Sequence, residues 1–465
     1  MNGGDRGSPP FEAGLGAGAR RALMFSLASL ALCVVPLDGA VAWARFGAAA
    51  ALAAAAALSH RDGAVYAAVA LLVTVGLKDG LPIVPGAHVG VFHVVLAAAI
   101  IAAGIRVLRG EHRLSLRLRP LEWALGLLPL AGLWSLPMSL APGQTLASIA
   151  RLLMLWAAAL VVSRSLASRR AVRTAVIAFV AAAVPLALFA FAQWLAPDVV
   201  IGSMHRSGGA SATLIRPAVF YMDPNFLAAH LVLASLAALW LVGSARRWWL
   251  PVATAVASLG AVAITFSRSA WVSAAAGLAV LAAIGNRRVR LAAAGVVVTA
   301  ALGGVALLGP AAISDRALSV FETQSDRSNM TRMQMARSTL AMIADRPVFG
   351  TGLKAFDVAF PDYQLPGGNP AVTHPHQVPL AVVAETGVAG ALALALLLVT
   401  GLAAMRSAGR DPEGLGGAVT AGIIALGAGS LFQYFLYFEP AWLYAGLLAA
   451  VAAVEADART GESGT

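Results

Sequence analysis

The chain has 465 residues, 59% of them hydrophobic and 12% charged, with a mean hydropathy of +0.80 and a formal net charge of +11. A soluble domain carries about 25% charged residues, and a water-facing fold of this size has nowhere to hide so much apolar surface, so an ordinary soluble enzyme is excluded and lipid must be the second solvent. The alternating ten-residue segments of a transmembrane barrel are absent. The composition therefore predicts an all-α polytopic integral membrane protein.

A net charge of +11 in a soluble protein would suggest nucleic acid. Here the arginines sit in short links between apolar runs, which is how topology is encoded, so no nucleic-acid partner is expected. The single cysteine, Cys33, lies in an apolar run and has no partner for an intrachain disulfide.

In chain order the sequence predicts a polar cytoplasmic tail over 1–20, then eleven transmembrane helices within 21–309. A loop follows over 310–377, three more helices lie within 378–455, and a cytoplasmic tail covers 456–465. A span needs about 20 apolar residues. The candidate spans are 21–37, 40–59, 63–80, 88–107, 121–140, 145–163, 174–196, 219–243, 248–265, 269–286, 291–309, 378–404, 415–436 and 438–455. Alternate links hold the basic residues: Arg106 to Arg119, Arg164 to Arg173, Arg246 and Arg247, Arg287 to Arg290, and Arg406 with Arg410. The positive-inside rule makes those links, and both termini, cytoplasmic.

The 310–377 loop balances six acids against six bases and is long enough to translocate regardless of charge. Within it Met330, Met333, Ala336, Leu340 and Ile343 recur at helical spacing, which predicts an amphipathic helix. Asp345-Arg346-Pro347 ends that helix, because the residue before proline avoids the helical region. Gly350-Thr351-Gly352 then reads as a turn.

Ionisable residues in spans are costly and line cavities or pathways. Arg45, Arg151, Asp223 and Glu385 fall in the outer halves of their spans, while Arg216, Arg268, His374 and His376 fall in outer links. One polar cavity open to the extracytoplasmic side accounts for this distribution. Two arginines there suit a phosphate or diphosphate, since each planar fork donates two hydrogen bonds and stays charged. Their alternative role is snorkelling to the interface or orienting loops.

His374-Pro375-His376 supplies a general base that works near neutral pH, with His376 the favoured one. A metal pair is the competing role for His-x-His, but no third ligand stands at a recognisable spacing. Asp223-Pro224-Asn225 has the chemistry of a helix cap and also of a cavity wall. Gly387 and Gly390 are expected to permit close helix packing. Trp248, Trp249 and Trp271 fit an interfacial aromatic belt.

His376-Gln377, nine residues, Gly387, two residues and Gly390 together resemble the pattern that marks the O-antigen ligase family. That pattern is His, then Asn, Ser or Gln, nine residues, Gly, two residues, then Gly, Thr or Tyr. Arg216 with Asp223-Pro224-Asn225-Phe226, Phe266-Ser267-Arg268-Ser269-Ala270, and Ala344 to Leu353 resemble other parts of the O-antigen ligase and polymerase superfamily. The likeness runs over roughly residues 200–405.

The resemblance implies a GT-C-like, metal-independent glycosyltransferase in the bacterial inner membrane, with no cofactor and its active site facing the periplasm. The donor would be an undecaprenyl-diphosphate-linked glycan, and the acceptor a lipid A-core sugar hydroxyl or, for a polymerase, a growing polysaccharide. Carried over by position, Arg216 and Arg268 would bind the donor diphosphate and His376 would deprotonate the acceptor. His374, Gln377, Asp223, Asn225, Glu385, Gly387 and Gly390 would line or support the cavity. Fourteen spans exceed the twelve or so usual in that family. A lipid-linked glycan flippase is the competing class, but it would show polar groups deep in both halves or a repeat between them.

Overall fold

A computed structural model describes residues 63–75, 80–84, 87–109, 117–197, 203–207, 214–221, 223–309, 327–365, 374–409 and 414–462. The expected spans 21–37 and 40–59, with Arg45 and Cys33, lie outside those residues.

Helices stand where the remaining spans were expected. They are α1 (Gly63–Thr74), α2 (Val91–Leu108), α3 (Pro120–Ser135), α4 (Pro142–Ser165), α5 (Arg169–Leu195), α6 (Pro224–Leu241), α7 (Trp249–Ile264), α8 (Arg268–Ile284) and α9 (Arg287–Leu308). After the loop helices α10 (Arg327–Asp345) and α11 (Phe356–Ala359) come α12 (Val378–Ala408), α13 (Gly416–Ser430) and α14 (Glu439–Glu462). Among the described residues, seven of these are long and apolar enough to cross a membrane, and α7, α8 and α13 are shorter apolar helices. The class is a polytopic helical membrane protein.

Local chemistry sets the helix starts. The side chains of Ser168, Asp223, Ser267 and Asn286 each accept a backbone N–H at the first turns of α5, α6, α8 and α9. Prolines open α3, α4, α6 and α12, where their missing N–H costs nothing.

Two expected spans need correction, and one link between spans holds structure of its own. The span expected at 63–80 is helical only through Thr74, and Gly80–Val84 (β1) pairs antiparallel with Ala87–Gly90 (β2). Pro82 cannot sit inside a helix without losing a hydrogen bond, which fits the change to strand. The link at 197–218 holds a second hairpin, Ser203–Ser207 (β3) with Leu214–Val219 (β4). The span expected at 415–436 ends at Ser430, and its last residues become a turn and a 3-10 helix, Phe435–Tyr437.

The centre of the bundle is α6, whose 18-residue window is 89% buried. It packs against α5, α7, α8, α13 and β4. A helix apolar on every side belongs inside a larger assembly of helices.

The two ends of the bundle differ in chemistry. At one end the link arginines tie helices together. Arg119 donates to the Ser163 carbonyl at 3.1 Å, and Arg164 forms an ion pair with the buried Glu122. Arg169 donates through Nε and Nη2 to Glu455 at 3.0 and 2.7 Å, and Arg173 donates to Ser244 at 2.9 Å. At the opposite end lie the C-termini of α3, α5, α7 and α13 and the N-termini of α4, α6, α8, α12 and α14, together with the expected site residues.

Candidate active site

Arg216 arrives on β4. Its Nε donates to the Thr265 carbonyl at the end of α7 at 2.8 Å, and its Nη2 donates to Asn225 Oδ1 at 3.3 Å. That anchor holds it beside Arg268, the first residue of α8, which is 7% exposed. Burial lowers the Arg216 pKa from its usual value; Asp223 opposes that shift and Arg268 adds to it. Like charges repel, and the Asp223 carboxylate offsets that repulsion at Arg216. Asp223, Ser267 and Gln377 start α6, α8 and α12 here, so three helix N-termini, each a favourable place for negative charge, meet at this end.

Asp223 is a helix cap. Its carboxylate accepts the Asn225 N–H at 2.7 Å as a cap, and its charge acts on both Arg216 and His376.

His376 sits just before α12. Burial lowers its pKa, Arg332 on α10 lowers it further, and Asp223 and Gln433 pull it back up. Its Nδ1 is buried and makes no hydrogen bond to the described residues. The His374 ring is 4.9 Å away, edge to face at 68°. Burial, then His376 and Lys354, drive the His374 pKa down to about 4. Both imidazoles are thus held neutral, the form a general base needs. Among the described residues, no group of three His, Cys, Asp or Glu side chains forms a metal cluster.

The remaining expected residues have the following surroundings. Gln377 begins α12 without a side-chain cap bond. Glu385 is fully buried; its Oε2 accepts the Lys354 backbone N–H at 2.9 Å and the Tyr434 hydroxyl at 3.2 Å. Arg151, also at this end of the bundle, instead pairs with Glu439 at 3.3 Å and lies over the Tyr437 ring.

The expected role of Gly387 is corrected. It does not mediate helix packing: its φ of 61° and ψ of −144° break α12 in the middle. The exposed carbonyls are taken up by the 350–352 turn, where Thr351 N–H donates to Ala384 at 3.0 Å and Gly352 N–H to Glu385 at 2.9 Å. Val388 N–H donates back to Val348 at 3.3 Å. A Cβ on Gly387 would strike the Val348 backbone, and one on Gly350 would strike Glu385. Gly390 lies one turn on, where a Cβ would overlap the Thr386 hydroxyl. Gly350 and Gly387 join the loop to the helix that follows the histidines.

Sequence reasoning missed Arg332, Lys354, Gln433 and Tyr434. The signal for the last two was a polar pair inside the aromatic run Phe432 to Phe438, at the outer end of an expected span. Val219, Phe266 and Lys354 carry the left-handed backbone uncommon in residues other than glycine, with φ of 54°, 52° and 64°. Each lies within three residues of Arg216 or Arg268 or beside Glu385, and local strain of this kind collects at functional sites.

Fold and site together define a polytopic helical membrane protein that gathers arginines and histidines at one end of its bundle. Comparison with protein families gives a match to the O-antigen ligase family over residues 253–395. The segment includes Arg268, Arg332, both histidines, Glu385, Gly387 and Gly390, whereas Arg216 and Asp223 lie before it. No curated protein matches the chain.

Proposed function

We propose that the protein is a glycosyltransferase that moves a glycan from a polyprenyl diphosphate, such as undecaprenyl diphosphate, onto an acceptor hydroxyl, with a lipid A-core sugar as the acceptor. What supports this reading is that Asp223 acts electrostatically on both Arg216 and His376, and Arg268 on Arg216, which links the three side chains of the site. The family match supports the same class of substrate.

In this reading the diphosphate lies against Arg216 and Arg268, whose fixed cations stabilise the charge that grows on the leaving group. His376, kept neutral by burial, takes the proton from the acceptor hydroxyl. The acceptor oxygen bonds to the anomeric carbon as the bond to the diphosphate oxygen breaks. The polyprenyl diphosphate leaves with that electron pair, and the new imidazolium returns its proton to solvent. In-line attack inverts the anomeric centre. The two guanidinium groups supply the charge stabilisation, so no metal is required. With the basic links cytoplasmic, the site faces the periplasm from the inner membrane.

The test uses purified protein in nanodiscs, with glycan-linked undecaprenyl diphosphate and either lipid A-core or excess donor, comparing wild type with His376→Ala. Transfer to lipid A-core that disappears in the variant supports a ligase. A ladder from donor alone makes the protein a polymerase. No product in either case, with transbilayer movement of donor unaffected by the substitution, overturns the enzyme reading in favour of a flippase.

A further inference from the structure

The spacing of Met330, Met333, Ala336, Leu340 and Ile343 in the 310–377 loop predicts an amphipathic helix. The helix forms, with Ala336 and Ile343 half-buried, but the residues buried deepest lie on another face. Met335, Ser338, Thr339 and Met342 turn inward, with Met335 and Met342 packing against Phe356 and Phe360, while Met330, Met333 and Leu340 are 44%, 39% and 54% exposed. The helix thus has one apolar face in the protein and a second facing out.

We propose that α10 lies in the membrane–water interface, with Met333 and Leu340 in the lipid of the leaflet beside the site. The end of the helix is tied to two of the helices long and apolar enough to span a membrane. Just past its end, Val348 is 48% exposed and its carbonyl accepts both the Trp134 indole N–H of α3 and the Val388 N–H of α12. From there exposed apolar side chains continue along both spanning helices, through Leu130 and Leu133 on α3 and Leu392 on α12. Trp134 stacks on Phe349 at 4.9 Å, and amphipathic rings of this kind collect at membrane interfaces.

Arg337 is exposed within the same face. A long basic side chain reaches the headgroups while its stem stays in the apolar layer, and basic residues among apolar ones are the composition of interfacial helices. The placement has a consequence for the site: α10 also carries Arg332, whose charge acts on His376, so the helix at the bilayer surface bears on the histidine electrostatically.

The experiment places nitroxide labels in a Cys33→Ser background, in nanodiscs of phosphatidylethanolamine and phosphatidylglycerol. Labels go at Met333→Cys and Leu340→Cys, with Leu392→Cys as the lipid reference and Asp362→Cys as the aqueous reference. All four positions are at the surface, so the fold is preserved. The expected result is that 333 and 340 behave like 392, with collision by oxygen several-fold above that by a water-soluble nickel complex. Behaviour like 362 would put the helix in water, and shielding from both reagents would mean a protein covers it; either result overturns the proposal. The readout does not involve glycan transfer, so it stands or falls independently of the enzymatic reading.

Discussion

The Tyr434 ring is stacked on His374, with centroids 5.3 Å apart and planes at 28°, while its hydroxyl donates to the buried Glu385. His374 in turn meets His376 edge to face. One tyrosine therefore links the broken part of α12 to the histidine pair. Tyr434→Phe keeps the stack and removes the hydrogen bond, leaving Glu385 with only the Lys354 N–H among the bonds described above. The expected cost is about 1–3 kcal/mol, the penalty of an under-satisfied buried polar group. A lowered Tm in detergent would show it; an unchanged Tm would mean the bond contributes nothing.

His376→Ala is expected to slow turnover by about 10²- to 10⁴-fold, the usual contribution of a general base, with little effect on donor binding. Single-turnover kinetics with donor titration separates the two. A variant that binds donor weakly but turns over normally would contradict the assignment.

The pH dependence follows from burial. Burial disfavours the imidazolium, so His376 titrates below the ordinary histidine value and remains a competent base there. Activity is expected to persist as pH falls through 6.5 and to drop only at lower pH. Stability moves the same way. His374, at about 4 in the folded state against 6.5 unfolded, binds fewer protons than the unfolded chain across that window. Its contribution to stability is full above pH 6.5 and is lost as pH falls toward 4. Thermal unfolding between pH 7 and 4 measures it, and His374→Gln should flatten that slope.

Arg268→Lys and Arg216→Lys each keep a positive charge and lose the planar fork. Turnover is expected to fall by about 10²- to 10³-fold if the fork stabilises the leaving diphosphate, as when one oxyanion donor is removed. Arg216→Lys should also lower Tm, because the bond to the Thr265 carbonyl is lost. Steady-state kinetics alongside thermal melts distinguishes the two effects.

Gly387→Ala places a side chain at a positive φ and against the Val348 backbone. The strain alone is about 1–3 kcal/mol. Gly350→Ala attacks the same junction from the loop side, so the double variant is expected to cost less than the sum of the singles. Additive losses would mean that the two glycines act independently. Glu122→Gln, at the basic end, serves as the control: it should lower Tm while leaving the activity per folded molecule unchanged.

Much of this protein was legible in the chain alone. Apolar runs of span length and arginines in alternate links specify the class and order the two ends, because the bilayer requires continuous apolar helices and the link charges sort by side. The residues of the candidate site, Arg216, Asp223, Arg268 and His376, stand out for the same reason: charge near lipid is expensive, so each instance is conspicuous.

Other features depended on the third dimension. Periodicity detects a helix at 327–345 but cannot say which of its two apolar faces turns inward; packing against Phe356 and Phe360 decided that. Gly387 looks like any small residue in an apolar run until the 350–352 turn is seen to accept its broken helix. Arg332, Gln433 and Tyr434 carry no local signal of proximity to His376, since they come from segments far apart in sequence. The sequence determined the solvent, the order of helices and which side chains are too polar to be idle. The tertiary structure decided which of them meet, because contacts between distant segments are set by how whole helices pack and not by spacing along the chain.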